Sequence, residues 1–476
     1  MFKNLIVIDI MTRYLKFKRL NKNYKELREL DEDYDINFKI IFDRDRLSSM
    51  EMSYFNELVR EYRLVVKHIG VGYVDMRGKC LYVKNFFGTE ISLFESEGKL
   101  YYSNVMDIFI PVEWYFVKDV IGLNNVARFD QHYVIPDPDK PIKRVYNSLE
   151  VAGYYDFPER YTGANRVIAL IELGGGYLEE DLDFYFKEVL KLPFRPVVIP
   201  MSVQGAKNNP ADKKASVGVT MDIEIIGAIA YCSTILVYFA PNSELGFYEA
   251  FYAAINNLNF RPSVIVTSWG CPETKNTPLY MESFNSMLGY AAKYNMNIFV
   301  SSGDKGSSDG TNMLVVDFPA SSPNVIACGG TTLDVENKEI LSEVVWSGSG
   351  GGFSNYFAKP DYQKFVGTKR GVPDIAANSD PLTGYLIYVQ GNLTVLGGTG
   401  AAACIYGAMG ALFAQLMITV KYINPYIYDN AELVCYDIVE GSNGPDGKYD
   451  AGVGWDACTG NGRVYGKRLL ESLVKK

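Results

Sequence analysis

A chain of 476 residues is long enough for two domains, one of them sizeable. Its 48% apolar, 22% charged and 14% aromatic content is globular and excludes a disordered chain. The net charge of −9 lacks the basic excess of a nucleic-acid binder, and no run of about 18 or more apolar residues offers a membrane span.

In chain order, Leu5 to Ile10 reads as a strand or an irregular N-terminal segment. Its apolar stretch is short and interrupted by Asp9, so a secretory signal is not expected and a cytoplasmic or particle-associated location is favoured. Ile36 to Phe42 is strand-like, and Ser49 to Arg63 is helical with Ser49 as a candidate N-cap. Leu64 to Val83 reads as two strands joined near Arg77-Gly78-Lys79. A short helix around Phe87 to Phe94, a strand around Leu100 to Tyr102 and a helix from Val112 to Ile121 follow. That order suits a small split β-α-β, ferredoxin-like α+β unit over residues 1–130.

The stretch Val134-Ile-Pro-Asp-Pro-Asp-Lys-Pro-Ile-Lys-Arg144 is rich in proline and charge, and 131–145 is expected to be an exposed linker. Beyond it, over 146–476, near-continuous apolar runs recur at 166–171, 235–239, 263–267, 297–300 and 325–328, with helices at 245–256 and 281–294 between them. Strands buried on both faces have this composition, so a parallel sheet covered by helices is expected. The seven cysteines form no Cys-x-x-Cys pair, which indicates neither a disulfide framework nor a zinc site.

Several short motifs follow in order: Ile171-Glu-Leu-Gly-Gly-Gly-Tyr177, Tyr238-Phe-Ala-Pro-Asn242, Ser268-Trp-Gly270, Ser302-Gly-Asp-Lys-Gly306, Asp317-Phe-Pro-Ala320, Ala327-Cys-Gly-Gly-Thr331, Gly371-Val-Pro-Asp374 and Gly452-Val-Gly-Trp-Asp456. Each is weak alone, but the ordered set resembles the sedolisin family of serine-carboxyl peptidases. The resemblance runs from about Val145 to the C-terminus and more loosely back to Ile36. It implies an α/β, subtilisin-like core, an N-terminal propeptide domain released by self-processing, and one calcium ion near the C-terminus.

The family's chemistry needs a serine nucleophile, a glutamate base four residues before an aspartate on one helix, and an aspartate for the oxyanion. In the helix Val217 to Ala230, Asp222 matches the family aspartate, but Gly218 stands where the glutamate would be. Glu224 lies about 200° around that helix from Asp222 and should face elsewhere, in a salt bridge or in solvent. The nucleophile motif corresponds to Gly398-Thr-Gly-Ala-Ala-Ala-Cys404, with Gly400 at the serine position and Cys404 reading as core. Thr399 should point away from its neighbour's position and serve the start of the helix. Asp304 matches the oxyanion aspartate, while Glu172 and Trp269 match residues extending the carboxylate hydrogen-bond chain. The two histidines, His68 and His132, sit in no motif, so packing or surface roles are expected.

For calcium, the resemblance points to Asp437 and Asp456 with the backbone carbonyls of Ile438, Gly452 and Gly454, an oxygen-only set suited to a hard cation. Asp446 and Asp450 add negative charge to the same loop. The resulting expectation is a catalytically inactive relative that retains calcium and an uncleaved propeptide domain capping the former cleft, and acts by binding an unidentified protein or peptide or as a structural component. The alternatives are an acidic endopeptidase with a rearranged site, recruiting Thr399 or Glu224, and a component of a viral particle. A hydroxyl or thiol within bonding reach of a carboxylate beside Asp304 would reopen the chemistry.

Overall fold

The computed structural model describes residues 13–15, 20, 23–42, 49–70, 72–110, 114–126, 128–364, 367–416, 422–444 and 449–474. The N-terminal stretch from Leu5 to Ile10 and Asp446 of the C-terminal loop lie outside them. Backbone contacts divide the chain into one unit of residues 1–127 with 242–245 and a second of residues 128–241 with 246–476.

In the first unit, four antiparallel strands lie in the order Val65–Gly70, Tyr73–Lys79, Asp35–Phe42, Val117–Ile121. The helices Ser49–Glu61 and Cys80–Phe87 follow the first and third of these strands in the chain, which is the expected split β-α-β arrangement. Ile36, Phe38, Ile40 and Phe42 alternate onto the buried face. A three-stranded sheet of Lys25–Glu29, Ile91–Ser96 and Lys99–Asn104 completes the unit.

Three local expectations are corrected here. The strand pair turns between Gly70 and Tyr73 instead of near Gly78. The second helix is Cys80–Phe87, stopped by Gly88 at φ 55° whose N–H returns to Lys84 O, so residues 91–94 are strand. Residues 117–121 form a strand, because pairing with Asp35–Phe42 outweighs a pattern that also reads as helical.

The second unit is built on a parallel sheet ordered Val197–Ser202, Thr234–Phe239, Val167–Glu172, Val264–Thr267, Asn297–Ser301, Ile326–Glu336, with Glu339–Val345 antiparallel at the end. Ile375–Asn378 also pairs in parallel with Ile326–Glu336. The helices Lys213–Ile229, Pro278–Lys293 and Thr399–Ala414 pack with it. Thr399–Ala414 is buried from Thr399 to Phe413, and its small residues let backbones close: a Cβ at Gly407 would run into Val266. Because Val167–Glu172 has chain neighbours on both sides, its carboxyl end opens at a switch point of the sheet, where α/β proteins place ligands.

Candidate functional site

Glu172 ends one central strand, Ser268 and Trp269 follow the next, and Ser301 ends the third with Ser302 to Asp304 following it. The helix Lys213–Ile229 brings Gly218 and Asp222 to the same place, and Gly398 to Gly400 open the buried helix facing it. The sequence-predicted set therefore converges, with Glu224 outside it. Glu224 is buried, and the Tyr388 N–H donates to its Oε2 at 2.9 Å, so it is neither solvated nor salt-bridged as expected. Burial holds its carboxyl well above the ordinary range.

The carboxylates form a connected chain. Trp269 Nε1 donates to Glu172 Oε2 at 2.8 Å. Burial, with repulsion from Asp222, pushes Glu172 well upward, while Asp222 rises to about 6 through burial opposed by hydrogen bonds from Ser268 and Cys404. Asp304 Oδ1 accepts the Thr399 N–H at 2.7 Å and the Thr399 hydroxyl at 2.8 Å, and burial raises this carboxyl too. The Thr399 hydroxyl thus bonds to Asp304 at the start of its helix.

The cleft is not empty. Residues from Arg128 onward cross it as an extended strap: Asp130 and Gln131 pair antiparallel with Gly270 and Trp269. The His132 N–H donates to Ser268 O at 2.7 Å, and Val134 and Gly397 exchange both backbone hydrogen bonds at 2.9 Å. The Gly400 N–H, at the serine position, donates to His132 O at 3.1 Å. A Cβ on Gly400 would overlap that carbonyl oxygen and stand 2.8 Å from Ser268 Cβ. A Cβ on Gly218 would overlap the Gln131 carboxamide, whose Nε2 donates to Glu172 Oε2 at 3.2 Å. The strap thus takes the volume that a side chain at 218 or at 400 would need.

His132 was expected to be a packing or surface residue. It is buried at the centre of the site, with Nδ1 2.6 Å from Ser301 Oγ and Nε2 3.4 Å from Asp317 Oδ2. Burial disfavours its cation, but Asp317, with Asp304 and Asp309 behind it, outweighs burial and pushes the imidazole up to about 9. Gln131 also escaped the sequence reading, because both residues lie where the chain reads as linker and meet the site only through strand pairing. Only Asp137 to Val145 of that stretch is continuously exposed.

Two further groups reach Asp222: the Ser268 hydroxyl donates to Oδ2, and the Cys404 thiol hydrogen-bonds to the same carboxyl. Cys404 is buried as expected and burial holds its thiol well above the ordinary range, so it offers no thiolate. The Ser268 Cβ lies 2.8 Å from where a Cβ on Gly400 would stand.

In the C-terminal loop, Gly454 N–H donates to Asp437 Oδ2 at 2.7 Å and Gly452 N–H to Asp456 Oδ2 at 3.2 Å, so the predicted carboxylates and glycines form one local cluster. Asp437 Oδ1 is buried without a hydrogen-bond partner, and burial raises Asp456. Among the described residues neither carboxylate is paired with a basic side chain, a donor set that fits a hard cation.

A family model described as the subtilase family matches residues 204–445. Kumamolisin of Bacillus sp. (strain MN-32) is 36% identical over 441 residues, 86% of this chain and 80% of that protein. Sedolisin of Pseudomonas sp. (strain 101) is 28% identical over 432 residues, 82% of this chain and 73% of that protein. The solved structure of Pseudomonas sedolisin, a serine-carboxyl proteinase complexed with pseudo-iodotyrostatin, superposes with a TM-score of 0.63 at 27% identity, covering 70% of this chain and 99% of that one. Ordered motifs, a parallel sheet with its switch-point cleft, and these similarities agree: the chain belongs to the sedolisin family of subtilisin-like serine-carboxyl peptidases.

Proposed function

We propose that this chain is a catalytically inactive sedolisin homologue whose cleft is occupied by its own strap, and that it acts through binding or as a structural component. One observation carries the reading: the space of the absent glutamate and serine side chains is filled by Gln131 and the His132 carbonyl. Glycine at 400 supplies no attacking atom and glycine at 218 no proton acceptor. The retained oxyanion groups, Asp304 and the Gly400 N–H, leave at most a residual acceleration. Self-processing then has no chemistry, so the N-terminal unit remains covalently attached.

The C-terminal loop is proposed to hold calcium through Asp437, Asp456 and the carbonyls of Ile438, Gly452 and Gly454. The ion there supplies charge compensation to two carboxylates and no reaction chemistry.

The test is an acidic endopeptidase assay on the purified full chain together with its intact mass. An uncut chain without activity is expected; a self-cut near residues 130 to 145, or turnover abolished by Asp304→Ala, overturns the reading. A Gly218→Glu/Gly400→Ser variant restores both missing groups, but each new side chain must first displace part of the strap.

A second reading has its own observation. The Ser268 hydroxyl donates to Asp222, a carboxyl that burial raises to about 6, which is a serine–carboxylate pair of different origin. Activity that Ser268→Ala removes, with the fold intact by circular dichroism, would establish it over the inactive reading.

A further inference from the structure

Gly218 lies in the interior of the buried helix Lys213–Ile229, where glycine costs about 1 kcal/mol relative to alanine. Helix formation therefore does not favour it. The three nearest atoms that a Cβ would meet are Cδ, Nε2 and Oε1 of Gln131, the whole head of one carboxamide. That head is directed by two further contacts. Its Nε2 donates to Glu172 Oε2, which also takes the Trp269 indole N–H, and its backbone is held in register opposite Trp269. The next residue is fixed independently, through the His132 backbone on Ser268 and Gly400 and its ring on Ser301 and Asp317.

The chemistry of the walls selects among side chains of this length. A carboxylate at 131 would become a third acid against Glu172 and Asp222, which already repel one another in a buried setting. An alkyl chain would fill the volume but leave Glu172 one donor short. A carboxamide is neutral and donates.

We infer that the loss of the side chain at 218 turned the former base position into a recognition pocket for a neutral carboxamide, walled by Gly218, Glu172 and Trp269 and taking a glutamine that precedes histidine on an extended chain. The occupant is the strap of this same chain. The inference rests on the strap-occupied cleft proposed above and adds what that cleft selects.

A double-mutant cycle on the full chain reads the pocket directly. With Gln131 present, Gly218→Ala should lower the urea midpoint, because the Cβ expels the carboxamide. In the Gln131→Ala background the same substitution should raise it, as alanine does in an ordinary helix interior. An effect of the same sign and size in both backgrounds overturns the pocket. Selectivity is read with the hexapeptide acetyl-Phe-Asp-Gln-His-Tyr-Val-amide titrated onto the Gln131→Ala/His132→Ala chain. Replacing the peptide glutamine by alanine or glutamate should weaken binding about tenfold, the loss of one hydrogen bond to a charged or buried partner. Equal affinity for all three peptides overturns the carboxamide selection. Absence of binding together with a sign-inverting cycle supports the pocket as a site for the tethered strap alone. The recovered peptide is weighed by mass spectrometry: cleavage would overturn the inactive reading while leaving the pocket standing.

Discussion

Groups from several stretches of chain hold His132: Ser301 at the end of a central strand, Asp304 and Asp309 in the following turn, Asp317 beyond it, and the backbones of Ser268 and Gly400. Its cation is the counter-charge of an acidic pocket in which burial also raises Asp309 and Asp317. A group whose pKa rises on folding contributes stability that is complete below its unfolded value near 6.5 and is lost as pH rises through its folded value of about 9. The displacement corresponds to about 3 kcal/mol. We expect His132→Gln to be less stable than the unmodified chain by up to that amount at about pH 6, with the gap closing towards about pH 10; urea unfolding at both ends of the range checks it. Gly398 is a second residue with no freedom. At φ 111° a Cβ would strain the backbone and meet Tyr133 Cα at 2.7 Å and Asp304 Oδ2 at 2.8 Å. Gly398→Ala should cost about 1–3 kcal/mol, measured as a shift in the urea midpoint at unchanged slope.

At the scale of elements, the strap and the two glycine-bearing helices act as one unit. The helix Lys213–Ile229 places Gly218 and Asp222 on one face one turn apart, and this was legible from spacing because i and i+4 share a face. Which chain would fill the gap was not legible. Asp130 and Gln131 carry no strand signal of their own and acquire strand geometry by pairing with the buried strand Trp269–Pro272. The loop around Gly452 to Asp456 is likewise an element with its own test. If it holds calcium, an ion at a hundredfold excess over its Kd adds about 2.7 kcal/mol, so a chelator should lower the melting temperature. Asp437→Asn or Asp456→Asn should abolish the chelator's effect, followed by differential scanning calorimetry.

Across the second unit, Glu343 ties distant parts of the chain together. Its buried carboxylate accepts the Tyr155 hydroxyl at 2.7 Å and the Thr331 hydroxyl at 2.7 Å, and pairs with Arg463 Nε at 2.7 Å. Burial raises this carboxyl, while Arg463 opposes the rise. Glu343→Ala leaves Arg463 charged and unpaired, so we expect a loss of about 3–5 kcal/mol in urea unfolding, far more than a surface ion pair would cost. Glu343→Gln, which keeps the shape and part of the hydrogen bonding, should cost less.

Apolar periodicity alone marked the central parallel strands and the helices between them, because strands buried on both faces and helices buried on one impose compositions that survive in a single sequence. The two glycines at 218 and 400 were readable in the same way: an absent side chain is a fact of sequence. Only the tertiary structure decided what stands in their place. Gln131 and His132 meet Ser268 and Trp269 from a distant part of the chain, and the contacts that fix them are backbone pairings, which leave no mark in the local order of residues.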